Sequence, residues 1–373
     1  MALAYVLGDA LVSPAELFER SSMDRFNKFI RAVGTDRREA FEFRSGTARS
    51  EEIRFETEAD GELIAPKELE IGKPLSVLIR NIYPGKFGDK DLLATSCVKG
   101  IGAFDAAPEA VNLLRKDAKK RTDIRVFDAD EQGTPVVYYS KALTKTDTVA
   151  TVKLDLNDFP DEAFKTVGEG LKRLGGVPLF VAAQPWLVIG SLVVPIIGSL
   201  LRSIFEKRHF FKLTHPMFFT FPGGQPVKEG FVLLMEDDHF EETKDHFMVD
   251  NRGLYVSRDE RRSPYRGDYP YVVLVLDGHD RDEQLGDFEQ TAASAALMEK
   301  FRPDTESSFP MDAIVDLVKA SSDFTFRRRA DRLDTKLRGL PESDEFKEER
   351  ERLKKERDAN MANVKSEELK RAY

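Results

Sequence analysis

Two aspartates, Asp128 and Asp130 in the string "RVFDADEQG", stand one residue apart where hydrophobic sequence gives way to turn material. Closely spaced carboxylates in a turn supply the hard oxygen ligands that calcium takes. Gly133 falls where the loop of an EF-hand bends, but the twelfth loop position is Tyr139 rather than glutamate, and no helical pattern flanks the turn. The bland alternative is an acidic β-turn, which aspartate favours for its own backbone hydrogen bonding. Asp128 and Asp130 are therefore the candidate metal ligands, calcium is the ion they would take, and no other cofactor is expected.

A strand followed by D-x-D is also similar to the calcium-binding loops of C2 domains, in which oxygen-rich loops gather at one end of a sandwich. Other candidates are less specific. "MEDDHFEETKDHF" sets His239 and His246 among carboxylates, but a spacing of seven on a polar loop is not a metal signature. "LDGHDRDEQ", with Asp277, Asp280 and Asp282, reads as a solvated charged loop. His209 and His215 lie on apolar, strand-like segments and read as structural histidines. Cys97 is the single cysteine, which excludes an internal disulfide and any multi-cysteine metal site. In "LLATSCV" it reads as a small apolar filler. The glycines of "TVGEGLKRLGG" follow "NDFPDEAFK" rather than a strand, against a dinucleotide fingerprint. No nucleophile elbow, phosphate loop, zinc-protease pair or C-x-x-C occurs, so nothing marks an enzyme.

The elements that must position these residues follow from periodicity. Residues 13–33 predict a helix: Ser13 caps, Pro14 suits the first position, Glu16 closes the box, and Leu17, Phe26, Phe29, Ile30 and Val33 form a stripe that ends at Gly34. From 46 to 157, short β-branched and aromatic runs such as "LSVLIRNIY", "TPVVYYS" and "TVATVKLDL" alternate with Gly, Pro and Asp turns. A helix is expected around "PEAVNLLRKDAKKR". Another is expected over "DEAFKTVGEGLKRLGG", where Phe164, Val167, Leu171 and Leu174 share a face. A second β-rich run contains "VVLVL" at 272–276, continuously apolar as a strand covered on both faces would be. "DFEQTAASAALMEKF" and all that follows it read as helical. Glu348 with Arg352, Glu351 with Lys355, and Glu367 with Arg371 stand at i,i+4 spacing. A helix held by such pairs would project as an arm, fray, or pack on a neighbouring subunit.

Between the β runs, residues 175–205 carry no charge from Arg173 to Arg202, long enough to span a bilayer as a helix. A helix starting at Pro185 would gather Ser191, Pro195, Ser199, Arg202 and Glu206 into one polar stripe. That favours a helix buried by the protein's own sheets, with conditional membrane insertion or an oligomer interface as alternatives.

The expected fold is α+β: antiparallel β-sandwich(es), a buried central apolar helix and a helical C-terminal region. The expected divisions are 1–45 helical, 46–160 β-rich, 161–208 a helical connector, 209–302 β-rich, and 303–373 a helical arm. A net charge of -9 argues against general nucleic-acid binding, which needs a basic surplus. The start of the chain lacks a basic leader, so a cytoplasmic location is expected. These features favour a non-enzymatic interaction or assembly module with a protein partner or a second copy. The alternatives are a membrane-perturbing effector that uses residues 175–205, and a calcium-dependent lipid-binding module.

Overall fold

The computed structural model describes residues 2–7, 10–12, 68–99, 108–126, 133–144, 147–174, 178–181, 186–189, 192–195, 204, 209–219, 227–235, 247–250, 253–258, 261–289, 291–293, 295 and 311–371. These form antiparallel sheets and a set of helices. One seven-stranded sheet holds β1 (Ala2–Leu7), β2 (Ala10–Val12), β4 (Leu75–Tyr83), β7 (Ile124–Arg125), β8 (Val136–Ser140), β15 (Gly230–Met235) and β19 (Tyr271–Asp277), in the order β2-β1-β15-β19-β4-β7 with β8 also on β4. The other holds β5 (Lys90–Lys99), β6 (Glu109–Ala118), β9 (Asp147–Asn157), β10 (Leu179–Val181), β11 (Trp186–Ile189), β12 (Leu192–Pro195) and β13 (Phe211–Phe218), in the order β12-β11-β10-β6-β5-β9-β13. A short pair joins β3 (Glu68–Leu69) to β14 (Val227–Lys228), and a three-stranded ribbon joins β16 (Phe247–Asp250), β17 (Gly253–Arg258) and β18 (Arg261–Pro264).

Strand burial explains why these segments pair. All seven residues of β19 are buried, as the unbroken "VVLVL" run requires of a strand covered on both faces. Buried side chains of both large sheets, among them Val77, Ile79, Leu92, Leu154, Phe211, Leu233 and Leu274, form one hydrophobic cluster. The two β-rich stretches interleave: β4 pairs with β19, and β9 pairs with β13, so each large sheet draws strands from both. Cys97 is buried on β5.

Two expected helices are strands where they are described. "EAVNLLRKDA" is β6, paired with β5 and β10. Its apolar run fits a helical face and a buried strand equally well, and the sheet edge offered by β5 decides between them. Within the apolar segment, residues 179–181, 186–189 and 192–195 are β10, β11 and β12 rather than one buried helix. The valines and isoleucines there favour a pleated sheet, and Pro195 ends the last strand instead of kinking a helix. No helix among the described residues is long and apolar enough to cross a membrane. The helix expected over 13–33 lies outside the described residues. Earlier in the stretch read as helical, β1 and β2 form a hairpin, and β1 pairs with β15.

Other helices form as their patterns require. α1 (Asp161–Leu174) opens on Asp161 and Glu162, favourable charges at the positive end of a helix. It buries Phe164 and Val167 against Leu93, Val111 and Leu179 of the second sheet. A single turn, α2 (Asp282–Leu285), follows β19. Residues 288, 289, 291–293 and 295 are helical, with Phe288 buried. The C-terminal region is α3 (Met311–Gly339), a 3-10 turn at Asp344–Phe346, α4 (Lys347–Ala362) and α5 (Glu367–Arg371).

This region folds back on the body rather than projecting. Ala359 is buried with Ile71 and Ala142. Asn363 donates from Nδ2 to the Ala142 carbonyl at 2.7 Å. Asp323 on α3 accepts from the backbone N–H groups of Lys365 and Ser366 at 3.0 and 2.8 Å, fixing the start of α5. The charge pairs differ from the i,i+4 set read from spacing: Lys355 reaches Glu70 at 3.0 Å, and Lys370 takes Glu367 at 2.8 Å.

Candidate binding cleft and carboxylate cluster

A cavity of about 650 Å³ opens where the β4–β7 edge of the first sheet meets the β17–β18 ribbon. Register builds it. Ile82 opposes Ile124, and Tyr83 opposes Tyr271, so continuing the first register by one residue sets Asp123 beside Tyr83. Tyr83 and Tyr271 stack with ring centroids 4.9 Å apart, and Tyr265 meets them edge-on at 5.4 and 5.9 Å. These offset and edge-to-face arrangements are the favourable ones for aromatic rings. Tyr83 donates to the Gly267 carbonyl at 2.9 Å. Burial holds its hydroxyl up to about 12 and that of Tyr271 well above the usual value, so both stay protonated.

Asp123 lies among these rings. Its Oδ2 accepts from Asn81 Nδ2 at 2.9 Å, the Tyr271 hydroxyl also serves the carboxyl, and Oδ1 is buried without a hydrogen-bond partner. Burial pushes the carboxyl up to about 6; the Asn81 and Tyr271 hydrogen bonds and the charges of Arg125 and Arg266 recover only part of the cost. Arg115, Lys119, Arg125 and Arg266 line the cavity, against Asp117 and Asp123. Arg115 and Lys119 make no ion pair among the described residues.

The rim is held in unusual backbone. Asp117 and Arg121 both take φ of +50°, a region that costs a residue with a side chain. Gly85 at φ +64° accepts the Arg121 N–H at 2.8 Å. A Cβ on Gly85 would stand 2.3 Å from the Asp268 carbonyl, so only glycine fits. Arg121 then reaches the Asp268 carboxylate at 2.6 Å.

At the far end of β19 a second group gathers. Gly230 opposes Leu276, which brings Glu229 to Asp277. Asp277 Oδ1 accepts the backbone N–H of His279 at 3.0 Å and lies 2.5 Å from His279 Nδ1; Oδ2 takes Arg281 at 2.7 and 2.8 Å. Burial opposes ionisation of Asp277, but the bonds from His279 and Arg281 outweigh it and hold the carboxyl below its ordinary value. Glu229 Oε1 accepts the Gly278 N–H at 2.9 Å and lies 3.7 Å from His279 Nδ1. One ligand atom from each of Glu229, Asp277 and His279 falls within 4.8 Å of the others.

The sequence-read candidates fall differently. Asp128 and Asp130, with His239 and His246, lie outside the described residues. Of the "LDGHDRDEQ" carboxylates, Asp280 accepts from the Tyr139 hydroxyl at 3.2 Å and Asp282 takes Lys141 at 2.6 Å, while Asp277 turns inward instead of being solvated. His209 holds the buried carboxylate of Asp155 at 2.7 Å. His215 is buried on β13, and burial pushes its ring down to about 3, so it stays neutral. Arg327 binds Asp331 at 3.0 Å and the Leu369 carbonyl, tying α3 to α5. Sequence reasoning passed over Asp123, Glu229 and His279. The only local signals were a lone aspartate opening "DIRVF" and a histidine two residues past the end of a buried strand. Comparison with protein-family models, curated proteins and solved structures gave no match for this chain.

Proposed function

We propose that the chain is a non-enzymatic interaction module and that its partner docks in the tyrosine-floored cleft at Asp123. The observation that carries this reading is the charge of the cleft. Four cations line it against two carboxyls, one of them held up to about 6, in a chain whose net charge is -9. A basic hollow on an acidic protein steers an anionic partner and resists other surfaces. Tyrosine and arginine are also the side chains that anchor interfaces most often. The partner is an acidic protein segment, and a second copy of this chain supplies such surface. We take the two large sheets, which share one cluster, to be the layers of the sandwich that holds the cleft.

The test is sedimentation of the full chain, alone and with a fluorescent acidic peptide, at low and high salt. Association or peptide binding should weaken with salt and fall at least about tenfold on reversing Arg115 and Lys119 to glutamate. A chain that stays monomeric and binds no acidic peptide, or binds it equally after the reversal, contradicts the reading.

A further inference from the structure

We propose that Glu229, Asp277 and His279 form a binding site for one divalent transition ion of the zinc class. The site is independent of the cleft and lies at the other end of β19. Its donor set is one imidazole nitrogen and two carboxylate oxygens, the combination that zinc and its neighbours take; an imidazole is a poor ligand for calcium.

The three ligand atoms already lie within 4.8 Å of one another. In a tetrahedral site with metal–ligand distances of about 2.0–2.2 Å, ligand atoms stand about 3.4 Å apart. His279 Nδ1 and Glu229 Oε1 are 3.7 Å apart, close to that edge. His279 Nδ1 and Asp277 Oδ1 are 2.5 Å apart, so the ring must swing out by roughly 0.9 Å. The His279 side chain is 37% exposed, so it has room to swing, and its open flank leaves the fourth position to water.

The surroundings hold the two carboxylates as ligands are usually held. They are 5% and 4% exposed, and the guanidinium of Arg281 holds the Asp277 carboxylate from its other oxygen. Arg281 occupies Oδ2 of Asp277 and leaves Oδ1 turned toward His279, the part that an outer-shell partner plays in orienting a ligand. Gly278 permits the approach of Glu229: an added Cβ would stand 3.0 Å from Glu229 Oε1 and 2.9 Å from Leu69 Cδ2. The register of β15 on β19 sets the glutamate, and the turn after β19 sets the other two. The ion takes the lone pair of Nδ1, and any proton on that atom goes to the buffer.

The experiment is calorimetry on the full, chelator-stripped chain with zinc chloride, and separately with calcium chloride, in two buffers of different ionisation heat. One zinc should bind per chain with release of protons, and the chain should melt at a higher temperature. Calcium should give no heat at this site. His279→Ala removes a half-exposed ring and should fold; it should lose zinc affinity by more than about a hundredfold, and Arg281→Met by about tenfold. Far-UV circular dichroism of each stripped variant shows whether it is folded. If His279→Ala fails to fold, His279→Gln takes its place. Absent zinc binding, or zinc binding unchanged in the folded histidine variant, overturns the proposal.

Discussion

Asp123 and Asp277 are the same residue type at the two ends of one buried strand, and their surroundings act on them in opposite directions. β19 begins at Tyr271, whose hydroxyl serves Asp123, and ends at Asp277. Asp123 has an amide and a phenol for donors, its Oδ1 lacks a hydrogen bond, and burial lifts the carboxyl to about 6. Asp277 is also buried, yet His279 and Arg281 hold it below the ordinary value. Burial raises a carboxyl; whether it stays raised depends on the donors within reach. The first arrangement leaves a poised acid in a basic cleft, and the second keeps a charged carboxylate beside a ring nitrogen.

The largest effect should come from the strand that both ends share. Leu274 is wholly buried at the middle of β19, so Leu274→Ala should cost about 2–5 kcal/mol in denaturant unfolding and loosen both ends together. Loss of protection at one end alone in hydrogen exchange would show that the ends are not coupled through the strand.

The two carboxyls should next separate by pH. The folded value of Asp123 is raised, so its contribution is full below about pH 3.8 and is lost as pH rises through about 6. Asp123→Asn should therefore match the parent near pH 4 and exceed it by on the order of 3 kcal/mol above pH 7. Glu289, pushed up to about 7 by burial, adds a component of the same sign to the parent, so the difference between the two proteins is the quantity to measure. Asp277 behaves oppositely: its folded value is depressed, so its stabilisation is present above the unfolded value and is lost as pH falls through the folded one.

Arg281→Met sharpens the contrast from the other side. It takes the guanidinium from a buried carboxylate and should cost about 2 kcal/mol at neutral pH, less than a fully enclosed pair because Arg281 is partly exposed. Asp277 should then titrate upward, toward the behaviour of Asp123. The smallest effect is expected at Lys355→Ala, an exposed pair with Glu70, at about 0–1 kcal/mol in the same assay.

How much of this was legible follows from where the information sits. "VVLVL" announced a doubly covered strand because five buried apolar positions in a row need only local apolarity. The face of α1 was legible because Phe164 and Val167 recur at helical spacing. "EAVNLLRKDA" and the apolar run at 186–195 misled, since continuous hydrophobicity carries no period and the partner strand decides. The two sites were less legible still. Glu229 and Asp277 meet through a strand register, and Asp123 reaches Tyr271 across β4 and β7. Neither neighbour can be read from the residues beside it.

The most direct measurement is carboxyl-carbon NMR titration of the full chain, with Asp123→Asn and Asp277→Asn used for assignment. The midpoint for Asp123 should stand near 6, and that for Asp277 below the ordinary aspartate value. Ordinary midpoints for both, or Asp123 ionised well below 6, would contradict the account.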